Sequence, residues 1–110
     1  MKIMERKIDG VMVVKLVGRF DADAAPAVDK RLHDLVAAGE TRLVLDLSEA
    51  PFLATAGIRV MQRMLRETRP RSGDLRLGGA QPLVMRSLAL VGLAPMLKTY
   101  ADAMMAAGSF

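Results

Sequence analysis

Residues 11–17 read VMVVKLV, which as an extended strand puts Met12, Val14 and Leu16 on one side and Val11, Val13, Lys15 and Val17 on the other. The first side is wholly apolar and is expected to face the core. A shorter alternating segment at residues 3–8 comes before it, and Asp9-Gly10 between the two is a tight-turn pair, so an antiparallel hairpin is predicted. After Gly18-Arg19-Phe20-Asp21 turns the chain, the apolar period changes from two to about 3.6. Ala25, Val28, Leu32, Leu35 and Val36 then share one helical face, with Asp29, Lys30, His33 and Asp34 off it. This helix should begin around Asp21 to Asp23, hold Pro26 in its first turn and stop at Gly39.

Residues 43–47, LVLDL, are apolar except at Asp46, the pattern of a central parallel strand buried on both faces. Asp46 reads first as a group that caps the following loop and only second as a catalyst. Phe52-Leu53 should bury as the chain approaches a second helix starting near Thr55. In that helix Ile58, Met61, Leu65 and Thr68 form the inward stripe, and Arg59, Arg63 and Arg66 form an outward one at i, i+4 and i+7. Residues 69–73, RPRSG, end it, and residues 75–77 form another short strand. Gly78-Gly79 is a turn, since it lacks the Lys-Ser/Thr ending of a phosphate loop. Pro82 suits the first position of a third helix running to about Val91, with Val84, Leu88 and Val91 on one face and Gly92 as its stop. Residues 96–100 are read as a terminal strand and residues 101–107 as a last short helix. Its Met104 and Met105 are expected to cover a core edge, with contact to a partner as the alternative.

Strands alternating with helices at this spacing give an α/β fold: a mixed, mostly parallel sheet of four to five strands, an N-terminal antiparallel hairpin and about four helices. One domain over residues 1–110 is expected from the length.

Composition narrows the chemistry. The chain is 52% hydrophobic and 25% charged, and its core must be aliphatic and methionine-filled because only three Phe and one Tyr are present. With no cysteine, disulfides, thiolate metal sites and thiol catalysis are excluded, and a cytoplasmic location is expected. His33 is the sole histidine, too little for a histidine metal cluster or a Ser-His-Asp apparatus. No cofactor or metal is therefore expected, and no enzymatic role. The N-terminal MKIMERKIDG is too charged for a secretion signal, and the longest uncharged run, residues 87–97, falls short of the ~18 residues that span a bilayer. The net charge of +4 gathers partly in Arg59, Arg63, Arg66, Arg69 and Arg71. That cluster suits an acidic protein surface, anionic lipid or a phosphate backbone; its plainest reading is a solvated helix face, and the scarcity of aromatics for base stacking argues against nucleic acid.

Thr55 is the residue with the most chemistry. A hydroxyl at the start of a helix meets unpaired N–H groups and the positive end of the dipole, so it serves either as an N-cap or as the site of an added phosphate.

Three stretches, VVKLVGRFDADAA, LVLDLSEAPFLATAGIRV and SLALVGLAPML, resemble the second strand and its turn, the central strand and switch loop, and the third helix of the STAS family, bacterial anti-sigma factor antagonists included. The resemblance covers nearly the whole chain. In those antagonists the loop reads Asp-Ser-Ser-Gly or Asp-Ser-Thr-Gly, and an anti-sigma factor that is also a kinase phosphorylates the residue after the Asp. Aligning Gly57 with the family glycine puts Thr55 on the acceptor, Ala54 where the Asp stands and Ala56 where the second hydroxyl stands. Asp21 matches the acid of the family's turn and Asp46 the polar residue ending the central strand, both implied to lie near the switch loop. The resemblance implies a non-enzymatic module switched by phosphorylation at Thr55. Its partners would be an anti-sigma factor that is a serine/threonine kinase and a phosphatase. Phe52, Ile58, Arg59, Arg63 and Arg66, on the loop and the helix after it, are the candidate contacts, with a solvated face as the alternative for the three arginines. The alternative is a constitutive STAS adaptor subunit of a transporter or signalling assembly that uses no phosphate.

Overall fold

The computed structural model describes residues 1–110. Strands β1 (Lys2–Ile8) and β2 (Val11–Val17) form the expected antiparallel hairpin, turned at Asp9 and Gly10, both with positive φ. Three parallel strands continue the sheet in order: β3 (Arg42–Glu49), β4 (Asp74–Gly78) and β5 (Thr99–Tyr100). Because strand order follows sequence order, right-handed crossovers set α1 (Ala25–Ala37), α2 (Thr55–Thr68) and α3 (Pro82–Leu90) side by side on one face. The last helix, α4 (Ala103–Gly108), packs on the other face.

Each face has its own core. Under the three helices, Val14, Leu16, Leu43, Leu45, Leu47, Leu75 and Leu77 meet the predicted helix stripes in a cluster of 24 buried residues. Under α4, Val11, Val13 and Val44 meet Ala106 and Ala107. The even-numbered side of β2 faces the main core as expected, and its odd side, read as mixed, is also buried through Val11 and Val13 because α4 covers it.

Four local expectations change. Helix α1 begins at Ala25 after a turn in which Ala24 N–H donates to Asp21 Oδ1 (3.0 Å), so Asp21 caps the turn and not the helix. Pairing in the last strand is confined to Thr99–Tyr100, because residues 94–96 coil into a short 3₁₀ turn. Val91 is 52% exposed: α3 ends one residue before it, Gly92 takes φ +73°, and Leu93 fills the buried position instead. Met104 and Met105 are 58% and 56% exposed, so they do not cover the core edge. Only small residues fit there: a Cβ on Gly78 would lie 2.6 Å from Ala103 Cα, which shows how closely α4 approaches the sheet.

Candidate functional site

The loop from β3 to α2 is laced to the segment leaving β2. Gly18 N–H donates to Glu49 O (2.9 Å), Phe20 N–H to Phe52 O (3.1 Å) and Ala54 N–H to Phe20 O (2.9 Å), with Phe20 and Leu53 forming an isolated parallel bridge. Apolar side chains drive this pairing, since Phe20, Ala50 and Leu53 are all buried. The bridge holds Asp21, the next residue after Phe20, beside the start of α2.

Ala54 is the N-cap of α2, extended at φ −89° and ψ 167°, and contributes no side-chain acceptor. Ile58 N–H donates to Ala54 O (3.1 Å), while the amides of Thr55, Ala56 and Gly57 find no backbone carbonyl, the usual state of a first turn. Thr55 is thus the first helical residue, one position past the cap, and its exposed hydroxyl makes no hydrogen bond with the rest of the chain. The capping role is vacant and the hydroxyl is free. Gly57 is buried because a Cβ there would lie 2.7 Å from Leu53 Cδ1 and 3.1 Å from the Phe20 ring; glycine lets the first turn rest directly on the loop and on Phe20.

Around this turn the predicted residues separate. Phe52 is half-buried, with the guanidinium of Arg19 4.1 Å from its ring centroid, a contact that the sequence reading did not single out. Ile58 is buried in the main core and offers a partner no surface, as its place on the inward stripe requires. Ala56 is half-buried and lines a groove of about 320 Å³ between the first turns of α1 and α2, together with Ala22, Pro26, Asp29, Arg59 and Arg63. Arg59, Arg63 and Arg66 are all exposed, but they do different things. Arg63 Nη1 lies 2.5 Å from Asp29 Oδ1 on α1, a close ion contact off hydrogen-bond alignment, and Oδ1 has no other partner. Arg66 sits at the far end of α2, on a second groove of about 640 Å³ lined also by Leu65, Pro70, Leu93 and Met96. Arg59 alone of the three borders the Thr55 turn without a carboxylate partner.

Asp46 caps the end of β3, accepting from Ser48 N–H (3.0 Å) and Ser48 Oγ–H (2.7 Å). Its side chain lies on the α4 face beside Lys15, Ala103 and Met104, so the sheet stands between it and the helix layer that carries Thr55. His33 is exposed and pairs through Nδ1 with Glu67 Oε1 (2.9 Å), linking α1 to the last turn of α2, away from Thr55. No helix is long and apolar enough to cross a membrane.

Known proteins resemble this chain in sequence and fold. The chain is 32% identical over 92 residues to BtrV, a candidate anti-sigma factor antagonist of Bordetella bronchiseptica, covering 84% of this chain and 79% of BtrV. The crystal structure of an anti-sigma factor antagonist from Mycobacterium paratuberculosis superposes with a TM-score of 0.85 at 26% identity, covering 98% of this chain and 92% of that one. The phosphorylated form of the Bacillus cell fate determinant SpoIIAA shares the fold, with a TM-score of 0.76 at 15% identity over 99% of this chain and all of that one. The STAS domain model matches residues 2–104, and the chain belongs to the STAS domain family.

Proposed function

We propose that this protein is a non-enzymatic regulatory module, an anti-sigma factor antagonist that binds an anti-sigma factor in the cytoplasm and is released when Thr55 is phosphorylated. The anti-sigma factor acts as the serine/threonine kinase: the Thr55 oxygen bonds to the γ-phosphorus of ATP as the bond to ADP breaks, and its proton passes to the kinase. A phosphatase hydrolyses the ester and restores binding. The observation that carries this reading is the Thr55 hydroxyl, exposed and without a hydrogen-bond partner at the first position of α2. Similarity to proteins named as anti-sigma factor antagonists supports the choice of partner.

The unmodified surface is Phe52 under Arg19, the exposed Thr55 and the cation of Arg59. Phosphorylation adds about −1.5 to −2 charges there. At a helix N-terminus an anion is favoured by about 0.3–1 kcal/mol, so the fold survives and the penalty falls on the interface. A desolvated like charge costs several kcal/mol across an interface, and each 1.4 kcal/mol is tenfold in affinity.

Incubation with the cognate kinase and ATP, followed by mass spectrometry, tests the reading. Phosphate on Thr55, none on a Thr55→Ala chain and at least tenfold weaker binding of the phosphorylated form are expected. An unmodified Thr55 under conditions that label a control STAS protein rejects it.

Ala54 and Ala56 favour a second reading, a constitutive adaptor that docks on a transporter or signalling assembly, because the loop carries no acid beside its hydroxyl. Binding to such an assembly that is indifferent to kinase and ATP distinguishes it.

A further inference from the structure

The helix that presents Thr55 carries a cation on the same face. Thr55 and Arg59 are four residues apart in α2, which puts their β-carbons about 5–6 Å apart. The order is favourable, because an acidic group placed N-terminal to a basic one at this spacing is the better orientation. Three other charged groups near this turn have contacts of their own. Asp29 on α1 is held by Arg63, Asp21 accepts from Ala24 N–H, and Arg19 lies over the Phe52 ring. Arg59 is exposed and has no carboxylate partner, and Ala54 brings no side chain to compete for the free first-turn amides.

Resting on the reading of Thr55 as a phosphate acceptor, we infer that Arg59 is the receptor for that phosphate: the guanidinium folds back along α2 and bonds the phosphate oxygens against the first turn. The planar guanidinium fork matches phosphate geometry, and a charge-assisted bond favours the dianion over the monoanion. Phosphorylation then changes the docking surface twice, since it adds an anion and withdraws the Arg59 cation that stood free beside the loop. A partner that reads Arg59 with a carboxylate loses that contact in the same step that introduces repulsion.

The test installs phosphothreonine at position 55 of the full chain during translation and follows its ³¹P resonance against pH, alongside Arg59→Gln and Arg59→Lys versions. The second ionisation of the Arg59 chain is expected about 0.3 unit below that of Arg59→Gln, roughly a twofold gain in acidity, with Arg59→Lys between them. The difference should fade in about 1 M salt, where screening acts within roughly 3 Å. Superposable titrations in the Arg59 and Arg59→Gln chains overturn the inference. Thermal melts of the unmodified variants check the fold, and the exposed position is tolerant of either replacement. Because translation supplies the phosphate, the outcome is independent of kinase labelling: a failed labelling rejects the proposed function, and an unshifted resonance rejects the role of Arg59.

Discussion

A methyl group at position 54 leaves the first turn of α2 without a side-chain acceptor, and the hydroxyl of Thr55, one position past the cap, does not supply one. An N-cap Thr that lost its hydroxyl would cost about 0.5–2 kcal/mol. Thr55 does no capping, so Thr55→Ala should change stability by less than about 0.5 kcal/mol in urea denaturation. Ala54→Asp, by contrast, should raise stability by about 0.5–2 kcal/mol, because an extended N-cap with a carboxylate can accept from the unbonded amides of the first turn. The pair of measurements separates a hydroxyl kept for chemistry from one kept for the helix. That a hydroxyl opened the helix was legible in the sequence; that it stood one position past the cap depended on where Ala54 N–H found its acceptor, Phe20 O, 34 residues earlier in the chain.

Among the elements, α4 departs most from expectation, and the reason is clearance. Its alanines, Ala106 at 0% and Ala107 at 7% exposure, meet Val11, Val13 and Val44, while its methionines point outward. Enlarging the buried side should cost more than making the exposed side polar. Ala106→Leu is expected to destabilise by about 1–3 kcal/mol through overpacking, and Met105→Gln by less than about 0.5 kcal/mol, both read from denaturation midpoints. At the other edge, β1 is tied to α1 by Glu5 and Arg31, whose hydrogen bond holds the Glu5 carboxyl below its ordinary range. A depressed folded value means that the pair's stabilisation is present above about pH 4.3, the unfolded value, and is lost as pH falls through the lowered one. Melting temperature measured against pH should therefore fall less steeply below about pH 4.3 in Glu5→Gln than in the native chain. The pair is largely exposed, so the difference should be small and should shrink with salt.

At the scale of the whole molecule, the strand order β1-β2-β3-β4-β5 sends every loop that follows a parallel strand to one end of the sheet and every returning helix terminus to the other. Helix α2 spans the two ends, and this divides its arginine stripe: Arg59 stands by the Thr55 loop, Arg63 is held across to α1, and Arg66 borders the groove with Leu93 and Met96. If the partner docks at the loop end, Arg59→Glu should weaken its binding about tenfold or more in a calorimetric titration, and Arg66→Glu should leave it nearly unchanged. Equal losses from both would move the docking surface along α2.

The alternation of apolar positions by itself determined the hairpin, the central strand and the buried stripes of α1 and α2, because each is a local period that an element must bury on one side or on both. Gly57 was marked by the family resemblance and not by the apolar pattern. Which way the two-sided residues turned was settled only by tertiary structure. The exposure of Met104 and Met105 followed from how near α4 lies to Gly78, and the placing of Asp46 from the face that α4 covers. The pairing of Arg63 but not Arg59 followed from where α1 sets Asp29. Each of these depends on a backbone approach between elements far apart in sequence, a distance that no local period encodes.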